Sequence, residues 1–148
     1  MKRKSALLVS LILVAVLLAA CSKTKSFTYS LDTGSSVTVK LDTTDGLDLK
    51  DEDGVFSVVD ESGEAIIQGT FRTEDAFEEM RSLVEGSSDC NILEKEEDSI
   101  TYVVNGEAGL ETNRVVKLTD AGVAVVMGSL SDSSVAADAY KKLTFTVK

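Results

Sequence analysis

The chain has 148 residues, with 25 acidic against 15 basic side chains, no histidine, no proline and no tryptophan, and a formal net charge of −10 at pH 7. Such a surplus of negative charge repels nucleic acid and anionic lipid headgroups alike. The lack of histidine removes the usual general base, the Ser–His and Cys–His nucleophile pairs and the commonest zinc ligand.

The first residues, Met1, Lys2, Arg3 and Lys4, form a positive cluster, and residues 6–20 are apolar apart from Ser10. That is the layout of a secretory signal, and the run is shorter than the roughly 20 residues a spanning helix needs. It ends in Leu18, Ala19, Ala20 and Cys21, which resembles the lipobox of bacterial lipoproteins. The resemblance implies cleavage between Ala20 and Cys21, a diacylglycerol on the Cys21 thiol, and anchoring on the extracytoplasmic face of a bacterial cell membrane. Two acyl chains hold where one only visits, because each buried methylene contributes about 0.8 kcal/mol. Residues 1–20 are thus a signal peptide, 21–26 a short polar lipidated tether, and 27–148 a single domain. With Lys2, Arg3 and Lys4 gone from the 15 basic residues and all 25 acidic residues kept, the mature side-chain balance falls to −13.

Phe27, Tyr29 and Leu31 alternate with polar residues, as do Val37, Val39 and Leu41 across a turn at Gly34; period-two patterning on both sides of a turn is a hairpin signature. Residues 42–54 read as an acidic loop with at most one short edge strand around Leu47 and Leu49. A second hairpin spans residues 55–71 and turns at Glu61, Ser62 and Gly63. Thr73 is placed to cap a helix with Glu74 and Asp75 in its first turn. Ala76, Phe77, Met80, Leu83 and Val84 recur at helical spacing, and Gly86 stands where a left-handed residue ends a helix.

Strands are expected over residues 90–94, 100–104 and 114–118, with turns at 96–99 and 105–109, the latter carrying the Asn105-Gly106 signal. Residues 123–127 are dense enough in apolar side chains for a central strand after the turn at 120–122. A Ser-led helix over 132–142 follows, and Leu143, Phe145 and Val147 alternate in a closing strand. The fold class is α+β: mostly antiparallel β-sheet with two helices, in one domain, the sheet covered on at least one face.

The hairpin 55–71 running into the helix at 73–84, and the close from Gly122 through a strand, a Ser-led helix and a final Phe145-Thr146-Val147-Lys148, are similar to the PsbP-like (Mog-type) fold of photosystem II accessory proteins and small bacterial lipoproteins. Members of that family commonly carry a Pro-Trp pair after the first strand, and this chain has neither residue type. The resemblance implies a fold and no catalytic site.

Chemistry is scarce. After Cys21 only Cys90 remains, so no intramolecular disulfide can form. Cys90 precedes Ile92 and Leu93 with no basic neighbour to stabilise a thiolate, and reads as a small buried hydrophobe. Gly106 and Gly109 match part of a phosphate loop but sit in a hairpin turn ahead of a strand, not of a helix. The carboxylates at 74–79 and 94–98 read as solvated faces, and a paired-acid glycosidase would need an aromatic-walled cleft. Asp42, Asp45, Asp48, Asp51, Glu52 and Asp53 lie in a loop with Gly46 and Gly54, where carboxylates could wrap calcium. An EF-hand register fails there, since either glycine aligned to the sixth position puts Leu41 or Leu49 at the first ligand position.

The expectation is a non-enzymatic, membrane-anchored binding or accessory module with no catalytic residues, no resident metal and no cofactor. Its partners are the membrane, through the diacylglycerol on Cys21, and a protein of the cell envelope; nucleic acid is not among them. The rival reading is a calcium- or small-ligand-binding receptor that uses Asp42, Asp45, Asp48, Asp51 and Asp53.

Overall fold

Side-chain alternation makes the strands of this chain and sets the face each one buries. The computed structural model describes residues 23–148; residues 1–20, read above as a signal peptide, and Cys21 lie outside the described residues. The first hairpin is β1 (Thr24–Ser30) and β2 (Ser36–Asp42). It is followed by β3 (Asp48–Glu52), β4 (Val55–Val59), β5 (Ala65–Thr73) and the helix α1 (Asp75–Glu85). The chain continues through β6 (Cys90–Lys95), β7 (Ser99–Gly106), β8 (Gly109–Leu118), a 3-10 turn (Thr119–Ala121), β9 (Val123–Ser129), α2 (Ser133–Lys141) and β10 (Leu143–Val147).

All pairings are antiparallel, and the strands form two sheets: a three-stranded one in the order β1-β2-β10 and a seven-stranded one in the order β3-β4-β5-β9-β8-β7-β6. The expected edge strand in the acidic loop is β3, at one margin of the large sheet. β9 is central, as its apolar density predicts. The patterning suggests one sheet, however, and the structure has two: Leu143 and Phe145 of β10 pair with Leu41 and Val39 of β2 instead of joining the large sheet.

β9 shows how two cores share one sheet. Its Val123, Val125 and Met127 enter a core with Tyr29, Val39, Leu41, Phe56, Ile67 and Phe71, roofed by the small sheet and by Ala136, Ala139 and Tyr140 of α2. Its Ala124, with Val126 partly buried, belongs to a smaller core under α1, built from Phe77, Val84, Ile100, Tyr102 and Val115. Helix α1 is tied down at both ends. Lys117 on β8 reaches Glu74 and Glu78 at 3.5 and 3.3 Å, and the Arg81 guanidinium donates to the Glu96 and Glu97 carbonyls at 3.2 and 2.8 Å.

Four local expectations are corrected. The tether does not reach Ser26: Thr24, Lys25 and Ser26 already pair with Asp42, Leu41 and Lys40, because backbone pairing extends a hairpin without needing apolar side chains. Thr73 is no cap; it pairs with Val123 as the last residue of β5, and Glu74, with helical backbone, takes the N-cap position without a side-chain cap bond. Gly86 stays right-handed at φ −88° and simply closes the helix by donating to Ser82. Asn105 and Gly106 remain in β7, paired with Leu110 and Gly109, so the turn residues are Glu107 and Ala108 and the left-handed backbone falls on Gly109 at φ 118°.

The seam between the sheets is aromatic. Phe56 on β4 lies opposite Gly69 on β5, and its ring covers the bare glycine so closely that a Cβ there would fall inside it. From that seat the Phe56 ring meets Phe145 at 6.1 Å, Phe71 at 6.2 Å and Tyr29 at 6.5 Å. These are tilted contacts within the favourable range for ring pairs.

Two measurements check this packing. Gly69→Ala overpacks the seam and lowers unfolding stability by about 1–3 kcal/mol, and Phe56→Leu in the same chain recovers part of that loss in a urea-denaturation cycle. Burial raises the pKa of Tyr29, Tyr102 and Tyr140 above the ordinary 10.0. A raised folded pKa contributes stability that is whole below 10.0 and is lost as pH climbs above it. Phenolate absorbance therefore rises together with loss of circular dichroism in alkali, with no separate earlier step.

Candidate functional site

The lipidation candidate Cys21 lies outside the described residues, but the chain just after it is fixed. The Lys23 carbonyl accepts the Thr43 N–H at 2.8 Å, and Thr24 pairs with Asp42. The N-terminal end of the fold and the acidic loop are thus one place. No helix among the described residues is long and apolar enough to cross a membrane.

In that loop each aspartate is used differently. Asp42 accepts the Thr44 hydroxyl at 2.7 Å and the Thr44 N–H at 2.9 Å. Those two bonds, the hydroxyl first, hold its carboxyl below the ordinary 3.8, with Lys142 and Lys23 adding to the effect. Asp45 pairs with Lys142 at the end of α2. Asp48 pairs with Lys25 at 2.8 Å and accepts the Leu49 N–H. Asp51 accepts the buried Tyr29 hydroxyl at 2.8 Å, linking β3 of the large sheet to β1 of the small one. Glu52 ends β3, paired with Val55. Asp53 turns the chain into β4 with φ 52°, the one positive φ outside glycine among the described residues.

This arrangement does not gather the carboxylates. β3 is five residues long and puts roughly 14 Å of extended chain between Asp48 and Glu52 at its two ends. A calcium ion needs six to eight oxygens at about 2.3–2.6 Å, and among the described residues no group of three or more Cys, Asp or Glu side chains is placed to hold a metal ion. Strand pairing separates residues that are neighbours in sequence.

Cys90 opens β6, half-buried at the margin of the core under α1, as a free thiol. The carboxylates of 94–98 divide: Glu94 pairs with Arg114 at 2.8 Å and Glu96 accepts the Ser99 hydroxyl at 3.1 Å.

Two features carry no sequence signal. Arg114 lies over two buried hydroxyls, donating to Thr101 at 2.7 Å and to Ser99 at 3.2 Å. Ser99 and Thr101 are only 4% and 3% exposed, so the guanidinium satisfies polar groups that would otherwise be costly to bury. The second is a half-open depression of about 500 Å³ with apolar walls from Ala65, Ile66, Ala108 and Leu130 and polar atoms from Gln68, Glu111 and Ser129. Its size is that of a small-ligand site. It forms where β5 begins, β9 ends and the turn into β8 passes, three segments that are not contiguous in the sequence, so no local pattern announces it.

A scan against protein-family models, a search of curated proteins and a search of solved structures found no match to this chain. What stands is the class: one α+β domain, mostly antiparallel sheet with two helices.

Two results are expected. Millimolar calcium leaves the melting midpoint of the soluble body unchanged, because an ion that does not bind the folded state cannot shift it. For Asp42, whose pKa is lowered on folding, the contribution is present above 3.8 and is lost as pH falls through the folded value. In urea unfolding the lead of the wild type over Asp42→Asn is therefore full near neutrality and shrinks as the pH is taken below 3.8.

Proposed function

We propose that the chain is a lipid-anchored, non-enzymatic binding or accessory module on the extracytoplasmic face of a bacterial membrane, built on a PsbP-like (Mog-type) domain. The observation that carries the reading is a succession: the lipobox-like Leu18, Ala19, Ala20 and Cys21 are followed by folded chain from Lys23 onward. A lipidated cysteine at the mature N-terminus has that place in front of a domain. The PsbP-like part is supported by the hairpin β4–β5 leading straight into α1 and by the close through β9, α2 and β10. The non-enzymatic part is supported by the lack of histidine and by carboxylates occupied with lysines, hydroxyls and backbone N–H groups.

Metabolic labelling of the producing bacterium with an alkyne-bearing palmitate tests the anchor. Label is expected on the wild-type chain and absent from Cys21→Ser; equal labelling of the two, or none on either, overturns the reading. Capture from detergent-solubilised membranes with the anchor intact is expected to recover the same envelope protein in replicate, and its loss on proteolytic removal of residues 23–148 assigns the contact to the domain.

A further inference from the structure

The distance between the proposed anchor and the fold is very short. Cys21 is two residues ahead of Lys23, whose carbonyl is held by Thr43 at 2.8 Å, and two residues of extended chain reach at most about 7 Å. The domain is much larger: a chain of this length has a radius of gyration of about 14 Å. A tether shorter than the radius of the body it holds does not let that body roll over. Whatever surrounds Lys23 must face the bilayer.

The contacts define what surrounds it. The loop after β2 is joined to Lys23 through Thr43, to the end of α2 through Asp45 and Lys142, and to the turn at 60–64 through Gly46, where a Cβ would overlap the Glu61 carboxylate. The opposite end is equally well defined. There the turn after β1 is joined to the 3-10 turn before β9 by the Thr33 hydroxyl donating to the Ala121 carbonyl at 2.9 Å. The seven-residue strands β1 and β2 set the two ends roughly 20 Å apart.

We propose that the end of the domain formed by the loop 43–47, the turn 60–64 and Lys142 lies against the headgroup layer of the bilayer that holds the anchor, and that the end bearing Thr33 and Asp120 points outward. The proposal rests on lipidation of Cys21. It gives the acidic loop a role other than metal binding. Lys25 on Asp48 and Lys142 on Asp45 neutralise carboxylates that would otherwise press against lipid phosphates, so cations from both ends of the chain meet at the membrane side. The turn 60–64 keeps Asp60, Glu61 and Glu64 without a lysine or arginine ion pair among the described residues, so the occupant is a zwitterionic headgroup surface and not a strongly anionic one. An envelope partner then meets the opposite end.

The test uses the full lipidated chain in phosphatidylcholine vesicles that carry a headgroup quencher. In a Cys90→Ser background, Thr44→Cys or Asp120→Cys takes a fluorophore; both positions are exposed, and Ser62→Cys with Asp32→Cys repeats the comparison should either variant fold poorly. Quenching several-fold stronger at position 44 than at 120 is expected. Insertion of a Gly/Ser linker of about ten residues after Ser22, long enough to let the body turn, is expected to abolish the difference. Equal quenching at native tether length, or stronger quenching at 120, overturns the orientation. A difference that survives the linker overturns tether length as its cause. Failure of the unlabelled chain to float with the vesicles overturns the anchor itself, which separates that failure from a wrong orientation.

Discussion

The Phe56 ring lies against the backbone of Gly69, and that seat sets how the small sheet packs on the large one. A glycine opposite a phenylalanine lets the ring lie down across the neighbouring strand. In that position Phe56 presents its ring to Phe145 on β10 and Tyr29 on β1, and the small sheet is held over the large one. With one face of the large sheet closed in this way, the other is left for α1, and β9 must serve both. Its Val123, Val125 and Met127 serve the core under the small sheet, and its Ala124 and Val126 the core under α1.

The same arrangement accounts for the polar chemistry. The Tyr29 hydroxyl, carried into the seam by its ring, finds Asp51 at the margin of the large sheet, and the Tyr140 hydroxyl donates to the Thr112 carbonyl at 2.6 Å, fixing α2 to β8. Buried hydroxyls without such partners would cost more than their rings contribute. The acidic surplus is likewise dispersed: lysines from β1, β8 and the residue after α2 reach carboxylates on other elements. Isolated surface pairs of this kind add little stability each. Their value lies in placing opposite charges where the body is crowded with like ones.

Much of the element order was legible, for a physical reason. Residues 37–41 and 143–147 carry period-two patterns and 76–84 a helical one, because each of these elements buries one face whatever its neighbours are; 123–127 is apolar throughout, as a strand covered on both faces requires. The misses share a cause as well. Thr73 has the right chemistry for a cap but is claimed by Val123 across the sheet. Asn105 and Gly106 make a good turn signal, yet the register of β7 on β8 moves the turn two residues on. Thr24 and Lys25 have no apolar pattern and are strand only because Asp42 and Leu41 stand opposite. Long-range pairing prevailed over local preference in each case.

What a linear reading reaches is a positive, then apolar, small-residue stretch ending at Cys21, a chain without histidine, and most of the strands and helices with their buried faces. Those are properties of contiguous residues. Which strands share a sheet, the return of β10 to β2, the parting of the acidic loop's aspartates by β3 and the depression near Glu111 come from the fold as a whole. Each of these depends on hydrogen bonds and packing between residues tens of positions apart. Whether a run of carboxylates converges on an ion or is drawn off by separate lysines and hydroxyls is settled by those partners, which the run itself does not contain.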